Sequence, residues 1–144
     1  MFIGACSCSG KCWKERGLDQ SICQNDALRC SETIRVNDDT LIQRYLDNKI
    51  TSAIVWGGLE PLDQFDELLH FINKLRTSYR CNDDVVIYTG YYPNEVADKI
   101  SQLESFRNVI IKYGRYVPNQ EPHFDEILGV SLASPNQFAQ KLGE

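Results

Sequence analysis

Short apolar runs alternate with amphipathic stretches along this chain. Three of the runs end at glycine or threonine-glycine, as buried parallel strands do when they enter tight loops. The runs predict strands at residues 2–5, 52–56, 85–88, 109–113 and 127–132.

The segments between these runs carry apolar residues at helical spacing. Asp38, Asp39 and Thr40 offer N-caps for a first helix, which ends near Asn48 and Lys49. A longer helix is predicted from residue 63 to 76, and Pro93 suits the first turn of a third. The apolar positions expected to cover the sheet are Leu41, Ile42, Tyr45 and Leu46, then Phe65, Leu68, Leu69, Ile72 and Leu75, then Val96, Ala97, Ile100 and Leu103.

The repeated order of strand, loop and helix predicts an α/β fold with a mainly parallel sheet. With 144 residues, of which 42% are hydrophobic, the chain is expected to form a single domain over residues 1–144. In such sheets, ligands lie beyond the carboxyl ends of the strands. The loops that follow those ends are a cysteine-rich loop, Gly57-Gly58, Thr89-Gly90 and Gly114-Arg115. We therefore expect the functional site at this edge of the sheet.

The net charge and the hydropathy bear on which partners and which cellular location the sequence predicts. The net charge is −5, so no broad basic field favours nucleic acid or an anionic membrane as a partner. No apolar run approaches the roughly 18 residues of a membrane-spanning helix, and the N-terminal run is too short for a secretory signal. The expected location is the cytoplasm, where clustered cysteines more often bind metal than form disulfides.

Cysteine is concentrated near the N-terminus, since four of the six lie within the first 23 residues. They are Cys6, Cys8, Cys12 and Cys23. Thiolates are soft ligands that suit zinc or an iron–sulfur cluster. Structural zinc sites typically have two Cys-x-x-Cys pairs, which this sequence lacks, so an iron–sulfur cluster is favoured. The alternative is a structural zinc site in which Cys6 or Cys30 is the fourth ligand. Cys6 competes with Cys8 as first ligand, and Cys81 is expected to be a free thiol.

The motifs in these loops resemble those of the radical S-adenosylmethionine (SAM) proteins, and within them the small activating enzymes of anaerobic ribonucleotide reductase. Cys8-x-x-x-Cys12 matches the family's first two cluster ligands, and Gly57-Gly58-Leu59-Glu60-Pro61 resembles its Gly-Gly-Glu-Pro motif. The resemblance extends from Ile3 to Gln137. Further matches are Tyr88-Thr89-Gly90-Tyr91, Gly114-Arg115-Tyr116-Val117-Pro118 and Ser134-Pro135-Asn136-Gln137.

Two departures from the family pattern stand out. The third cysteine of the family follows the second by three residues, but Glu15 occupies that position here. Cys23, in Cys23-Gln24-Asn25, resembles the Cys-His-Asn that carries the third ligand, so we interpret the difference as an insertion of eight residues. The second departure is Leu59, inserted between Gly58 and Glu60.

The resemblance implies an open, partial (βα) barrel of the radical SAM type that holds a [4Fe–4S] cluster through Cys8, Cys12 and Cys23. Three thiolates leave one iron open. In the family, that iron chelates the amino and carboxylate groups of SAM, and an electron passed through the cluster splits the sulfonium to give a 5′-deoxyadenosyl radical.

The same resemblance implies roles for the loops that follow the second and third strands. Gly57 and Gly58 would let the backbone approach SAM closely, because neither has a Cβ. Glu60 would pair with the SAM ammonium, and Thr89 would hydrogen-bond the ribose or the methionine end. The alternatives are that the glycines only form a turn, that Glu60 is a solvated loop carboxylate and that Thr89 only ends a strand.

The function implied is a radical SAM activating enzyme that receives an electron from a donor protein. Its partner would be a glycyl radical enzyme such as anaerobic ribonucleotide reductase, which would close the open side of the barrel. Two alternatives are a non-catalytic iron–sulfur or zinc-binding relative, and a radical SAM enzyme that acts on a peptide or a small molecule.

Overall fold

The computed structural model describes residues 1–143. Within that range the strands are β1 (Phe2–Ala5), β2 (Ala53–Gly58), β3 (Asp84–Tyr88), β4 (Val109–Tyr113), β5 (His123–Asp125), β6 (Val130–Leu132) and β7 (Phe138–Lys141). Five of them form a sheet in the order β1-β2-β3-β4-β7, while β5 and β6 pair separately. The first four strands of the large sheet are parallel, and β7 is antiparallel to β4. The fold is therefore mixed α/β, with a mostly parallel, open sheet.

Five helices of very different length connect these strands in the part of the chain described. They are α1 (Lys11–Lys14), α2 (Asp26–Arg29), α3 (Asp38–Asp47), α4 (Phe65–Thr77) and α5 (Ala97–Leu103). Short 3₁₀ turns occupy Gln20–Ile22, Pro61–Gln64 and Pro93–Glu95. Between residues 1 and 143, no helix combines the length and the apolar character needed to cross a membrane.

The four parallel strands predicted from the sequence are confirmed, with ends that move by two residues at most. The helix predictions need correction at their starts. Asn37, and not Asp38 to Thr40, caps α3, since its Oδ1 accepts a 2.8 Å hydrogen bond from the Thr40 N–H. The helix predicted from residue 63 begins at Phe65, because the preceding residues form a 3₁₀ turn. Pro93 likewise opens a 3₁₀ turn, and α5 follows it.

The strand predicted at residues 127–132 is wrong over its first half. Gly129 adopts a φ of +68°, and its N–H donates to the Asp125 carbonyl at 2.8 Å, which closes a turn. Only Val130–Leu132 is extended, and it pairs with β5 outside the main sheet. The fifth strand of the main sheet is β7, which the apolar pattern does not predict.

The main core lies between the sheet and α3, α4 and α5. Alternate residues of the parallel strands point to this side, as the period of two in a strand requires. Trp56 of β2 meets Phe71 of α4 edge to face, with ring centroids 5.4 Å apart. Fully buried members are Ile42, Ile54, Leu62, Leu68, Phe71, Ile72, Leu75, Val85, Ile87, Leu103, Val109, Ile111 and Tyr113.

The opposite face of the sheet has a much smaller apolar cluster. Val86, Ile110 and Ala139 form it, with Val55, Tyr88 and Leu128 packed at its margin. Leu128 belongs to the turn between β5 and β6, so part of this face is covered by a hairpin while α3, α4 and α5 pack on the other side. The main core therefore lies on the helical face of the sheet, and only the smaller cluster lies on the opposite face.

Replacing Phe71 with Ala should destabilise the protein by about 3–5 kcal/mol, since it removes a fully buried ring and leaves a cavity against Trp56. Urea unfolding measures the change. Phe124→Ala is the matched control, because Phe124 is 63% exposed, and it should change stability by less than about 1 kcal/mol. Equal losses in the two variants would contradict this assignment of the core.

Candidate metal centre

The four loops predicted to form the site do meet at the carboxyl edge of the parallel strands. The cysteine loop is tied to the loop after β2, because Leu59 N–H donates to Ala5 O and Glu60 N–H donates to Ser7 O, at 3.2 and 2.7 Å. The loop after β3 is tied to β4 through Thr89 N–H and Lys112 O at 2.8 Å. These backbone bonds fix the spacing of the loops before any side chain is considered.

The thiols of Cys8, Cys12 and Cys23 lie near enough to one another for the charges on Cys8 and Cys23 to affect Cys12. Burial is the main cause that raises the pKa of Cys12, and negative charge at Cys8 and Cys23 raises it further. The backbone N–H of Tyr116 donates to Cys12 and opposes that shift, while Gly10 N–H donates to Cys8 Sγ at 3.3 Å. Cys23 therefore lies near the other two thiols in the fold, although ten residues separate it from Cys12.

The other cysteines differ from these three in position or exposure. Cys6 and Cys30 are exposed, whereas Cys81 packs against the main core on the helical side. Among residues 1–143, no three His, Cys, Asp or Glu side chains are close enough to share one metal ion. In a [4Fe–4S] cluster each thiolate binds a different iron, so the thiols surround the group without meeting at a point.

The surroundings of the thiols fit an anionic sulfur-rich group. The Arg29 guanidinium faces Cys8 and Cys23, and its Nε and Nη2 are buried without a well-aligned hydrogen-bond partner. Unpaired buried donors of a cation are costly, and sulfide and thiolate are acceptors that would satisfy them. Three thiols and a cation form a donor set suited to an iron–sulfur cluster.

Glu60 is buried, with 5% of its surface exposed, which rules out the interpretation as a solvated loop carboxylate. Oε1 accepts from Leu62 N–H at 3.0 Å and from the Thr89 hydroxyl at 2.8 Å, and Oε2 accepts from Gly90 N–H at 2.8 Å. Burial raises the pKa of Glu60, while these three hydrogen bonds act against the increase. The carboxylate thus joins the loop after β2 to the loop after β3.

Thr89 and the glycine pair have structural roles at the same edge. The Thr89 hydroxyl donates to Glu60 and accepts from Tyr91 N–H at 3.0 Å, and the residue is 2% exposed. A Cβ on Gly57 would lie 2.9 Å from the Phe2 ring. Gly58 has a φ of +80°, and its Cβ would lie 2.5 Å from Leu28. Gly58 is therefore required by its backbone conformation, whereas the close neighbour of Gly57 is the ring of an exposed side chain.

Lys112 is a site residue that the sequence analysis missed. It is 8% exposed and donates to Gly114 O at 3.1 Å. Burial lowers the pKa of Lys112 to about 8, and the negative charges of Cys12 and Glu60 oppose this shift. The sequence contains a signal for it, namely one lysine in the otherwise apolar run 109–113.

Arg115 links the position of Glu15 to the loop after β4. Arg115 is buried, and its Nε lies 2.9 Å from Glu15 Oε2, while its Nη2 lies 2.6 Å from Glu95 Oε1. This pairing lowers the pKa of Glu95 to about 2 and raises that of Arg115. Glu15, which stands where the resemblance to radical SAM proteins would place a third cysteine, therefore serves as an ion-pair partner.

The motif Ser134-Pro135-Asn136-Gln137 packs against Gly114 and Arg115. Asn136 Nδ2 donates to the Arg115 carbonyl at 2.8 Å, and Gln137 Nε2 donates to the Gly114 carbonyl at 3.2 Å. Gly114 has a φ of +100°, and a Cβ there would lie 2.6 Å from Asn136 O. Two motifs that are twenty residues apart in sequence thus form one part of the edge.

A family model described as a 4Fe-4S single cluster domain matches residues 5–132. The chain belongs to this family. No curated protein and no solved structure matches the chain significantly. The iron–sulfur prediction is confirmed at the level of the family, and the assignment of Cys8, Cys12 and Cys23 as ligands stays a prediction. The span matched by the 4Fe-4S domain also includes Glu60, Thr89, Lys112 and Arg115.

Replacing Cys8, Cys12 or Cys23 with Ala should abolish the [4Fe–4S] cluster, because each removal leaves one iron without its protein thiolate. Iron and sulfide analysis after anaerobic reconstitution measures the loss. Cys81→Ala is the control and should retain the cluster, since Cys81 packs on the helical side. Full iron content in Cys23→Ala would overturn the interpretation that eight residues are inserted between the second and third ligands.

Replacing Arg115 with Met should destabilise the 4Fe-4S domain by about 2 kcal/mol, a value between those of exposed and buried ion pairs. The pKa of Glu95 is lowered to about 2, so its share of the stability is complete above its unperturbed value of 4.5 and is lost as pH falls towards 2. Urea unfolding of the metal-free protein should therefore show a smaller difference near pH 3 than at pH 7. Arg35→Met, at an exposed position, should match the wild type.

Proposed function

We propose that this protein is a radical SAM enzyme, and more narrowly an activating enzyme that generates a radical on a protein partner such as anaerobic ribonucleotide reductase. The open sheet with its α3–α5 layer corresponds in this proposal to a partial (βα) barrel of the radical SAM type. A [4Fe–4S] cluster held by Cys8, Cys12 and Cys23 would supply the electron for reductive cleavage of SAM.

One observation carries the proposal: a buried carboxylate and a buried ammonium lie close to Cys12, one of the three predicted ligands, at the same sheet edge. Glu60 uses three of the roughly four acceptor positions of a carboxylate, and Lys112 uses one of its three donors. The amino acid end of SAM carries an ammonium and a carboxylate. Glu60 and Lys112 therefore have the charges that would bind both ends of that group.

The protein residues would bind, orient and shield, while the cofactors supply the redox chemistry. Thr89 and Gly90 hold the Glu60 carboxylate in one orientation, so little reorganisation is needed for a second charged contact. Gly57 and Gly58 have no Cβ at the strand end that adjoins Glu60.

The partner in this proposal is a protein that would bind at the margin of the sheet face opposite α3–α5, where the small apolar cluster is itself buried but its neighbours are partly exposed. The cluster of Val86, Ile110 and Ala139 is flanked by the partly exposed Val55 and Tyr88. A glycyl radical enzyme would cover this face and bring its reacting residue to the carboxyl edge. A separate electron donor would reduce the cluster.

Cluster binding without SAM chemistry is the second candidate, and one observation favours it. Leu28 packs against the backbone at Gly58, and a Cβ built at Gly4 would lie 3.6 Å from the same side chain. An apolar side chain thus contacts Gly58, whose backbone would have to approach SAM if the protein were a radical SAM enzyme.

Anaerobic reconstitution followed by EPR spectroscopy of the reduced protein, with and without SAM, tests the proposal. We expect about four iron per chain and a reduced-cluster signal that changes on addition of SAM. Lys112→Met should retain the cluster but raise the SAM concentration for half of the spectral change about tenfold or more, since it removes a charge-assisted contact.

Lys49→Met is the control and should behave as the wild type, because Lys49 is exposed and precedes the start of β2, whereas the site lies at the end of that strand. A full cluster whose spectrum does not respond to SAM would reject the enzyme proposal and favour the non-catalytic candidate. Zinc in place of iron would reject both candidates.

A further inference from the structure

Arg29 is held next to the candidate metal centre by the short segment that follows Cys23. Asp26 N–H donates to the Cys23 carbonyl at 3.2 Å, and Arg29 N–H donates to Asn25 O at 3.1 Å, which forms α2. Gln20 Nε2 donates to Asp26 Oδ1 at 2.9 Å and fixes the start of that helix to the preceding turn. The position of Arg29 is thus coupled to that of Cys23.

The guanidinium of Arg29 faces thiols, which are weak hydrogen-bond acceptors. Its Nε and Nη2 are buried and have no partner with acceptable geometry. Burial is the largest influence on the pKa of Arg29 and lowers it, but hydrogen bonds to the thiols of Cys8 and Cys23, together with their negative charge, raise the pKa above its ordinary value. Arg115, by comparison, has its charge matched by two carboxylates.

We propose that Arg29 donates hydrogen bonds to sulfur atoms of the cluster bound by Cys8, Cys12 and Cys23, and thereby raises the reduction potential of the cluster. This rests on the cluster assignment in the proposed function and is independent of SAM cleavage. Arginine stays protonated in proteins, so the charge is permanent. The potential of such clusters depends on net charge, on hydrogen bonds to the sulfurs and on exposure to solvent.

The physical reason is the difference in charge between the two redox states. Reduction adds one electron from an external reductant to the cluster, and no bond to the protein forms or breaks. The reduced cluster is more negative by one charge, so a fixed cation and its N–H donors stabilise the reduced state more than the oxidised state. Arg29 is therefore a positioning and tuning residue, not a catalytic one.

The test is a redox titration without SAM, monitored by EPR, on the reconstituted wild type, Arg29→Gln and Arg29→Lys. In Arg29→Gln we expect full iron content and at least a tenfold lower ratio of reduced to oxidised cluster at a given potential, which corresponds to a shift of 59 mV to more negative values. Arg29→Lys keeps the charge without the planar fork and should shift less. Arg16→Gln, at an exposed position, is the matched control and should titrate as the wild type.

A fully loaded Arg29→Gln protein with an unchanged potential would overturn the proposal. If that variant does not take up iron, the wild type is labelled with guanidino-¹⁵N arginine and studied by ENDOR in the reduced state. A nitrogen coupling supports the contact, and its absence overturns the proposal. Wild type without any cluster would reject the cluster assignment itself, whereas a normal cluster that is indifferent to Arg29 rejects only this inference.

Discussion

The buried carboxylate of Glu60 is the contact on which the carboxyl edge of the sheet depends. Hydrogen bonds from Leu62, Thr89 and Gly90 converge on it, and the backbone N–H of the same residue donates to Ser7 in the cysteine loop. Hydrogen bonds to a buried charged group contribute about 1.5–3 kcal/mol each. Without them a buried charge would be unpaired, so these hydrogen bonds stabilise the observed arrangement of the loops after β1, β2 and β3.

The parallel strands could be predicted from the sequence because burial on both faces makes them continuous apolar runs. β7 could not, since Phe138, Ala139, Gln140 and Lys141 alternate between the two faces of an edge strand and form no apolar run. The run at residues 127–132 is apolar but is not a strand over its first half, so here the apolar pattern predicts too much strand. Its apolar residues belong largely to a hairpin, in which Ile127 and Val130 are 49% and 42% exposed. Apolar composition indicates a strand only where a second layer covers it.

Part of the candidate site could also be predicted from the sequence. Cysteine spacing and glycine-rich loop ends are local signals, and the topology brings together the loops that contain them. The roles of Glu15 and Arg115 are not local, because their pairing joins residues one hundred positions apart. Lys112 has the signal of a charge within an apolar strand, yet its significance depends on the nearby Cys12 and Glu60, which only the folded chain brings together.

The contact of Leu28 with Gly58 also determines how accessible the Gly58 backbone is at this edge. Leu28 is 36% exposed, so it has given up only part of its contact with water. Turning such a side chain fully into solvent costs about 1 kcal/mol, a penalty of roughly fivefold in occupancy. Leu28 therefore covers the backbone of Gly58 with an apolar side chain that is held only weakly. A molecule that binds this backbone with a free energy above about 1 kcal/mol would displace the side chain.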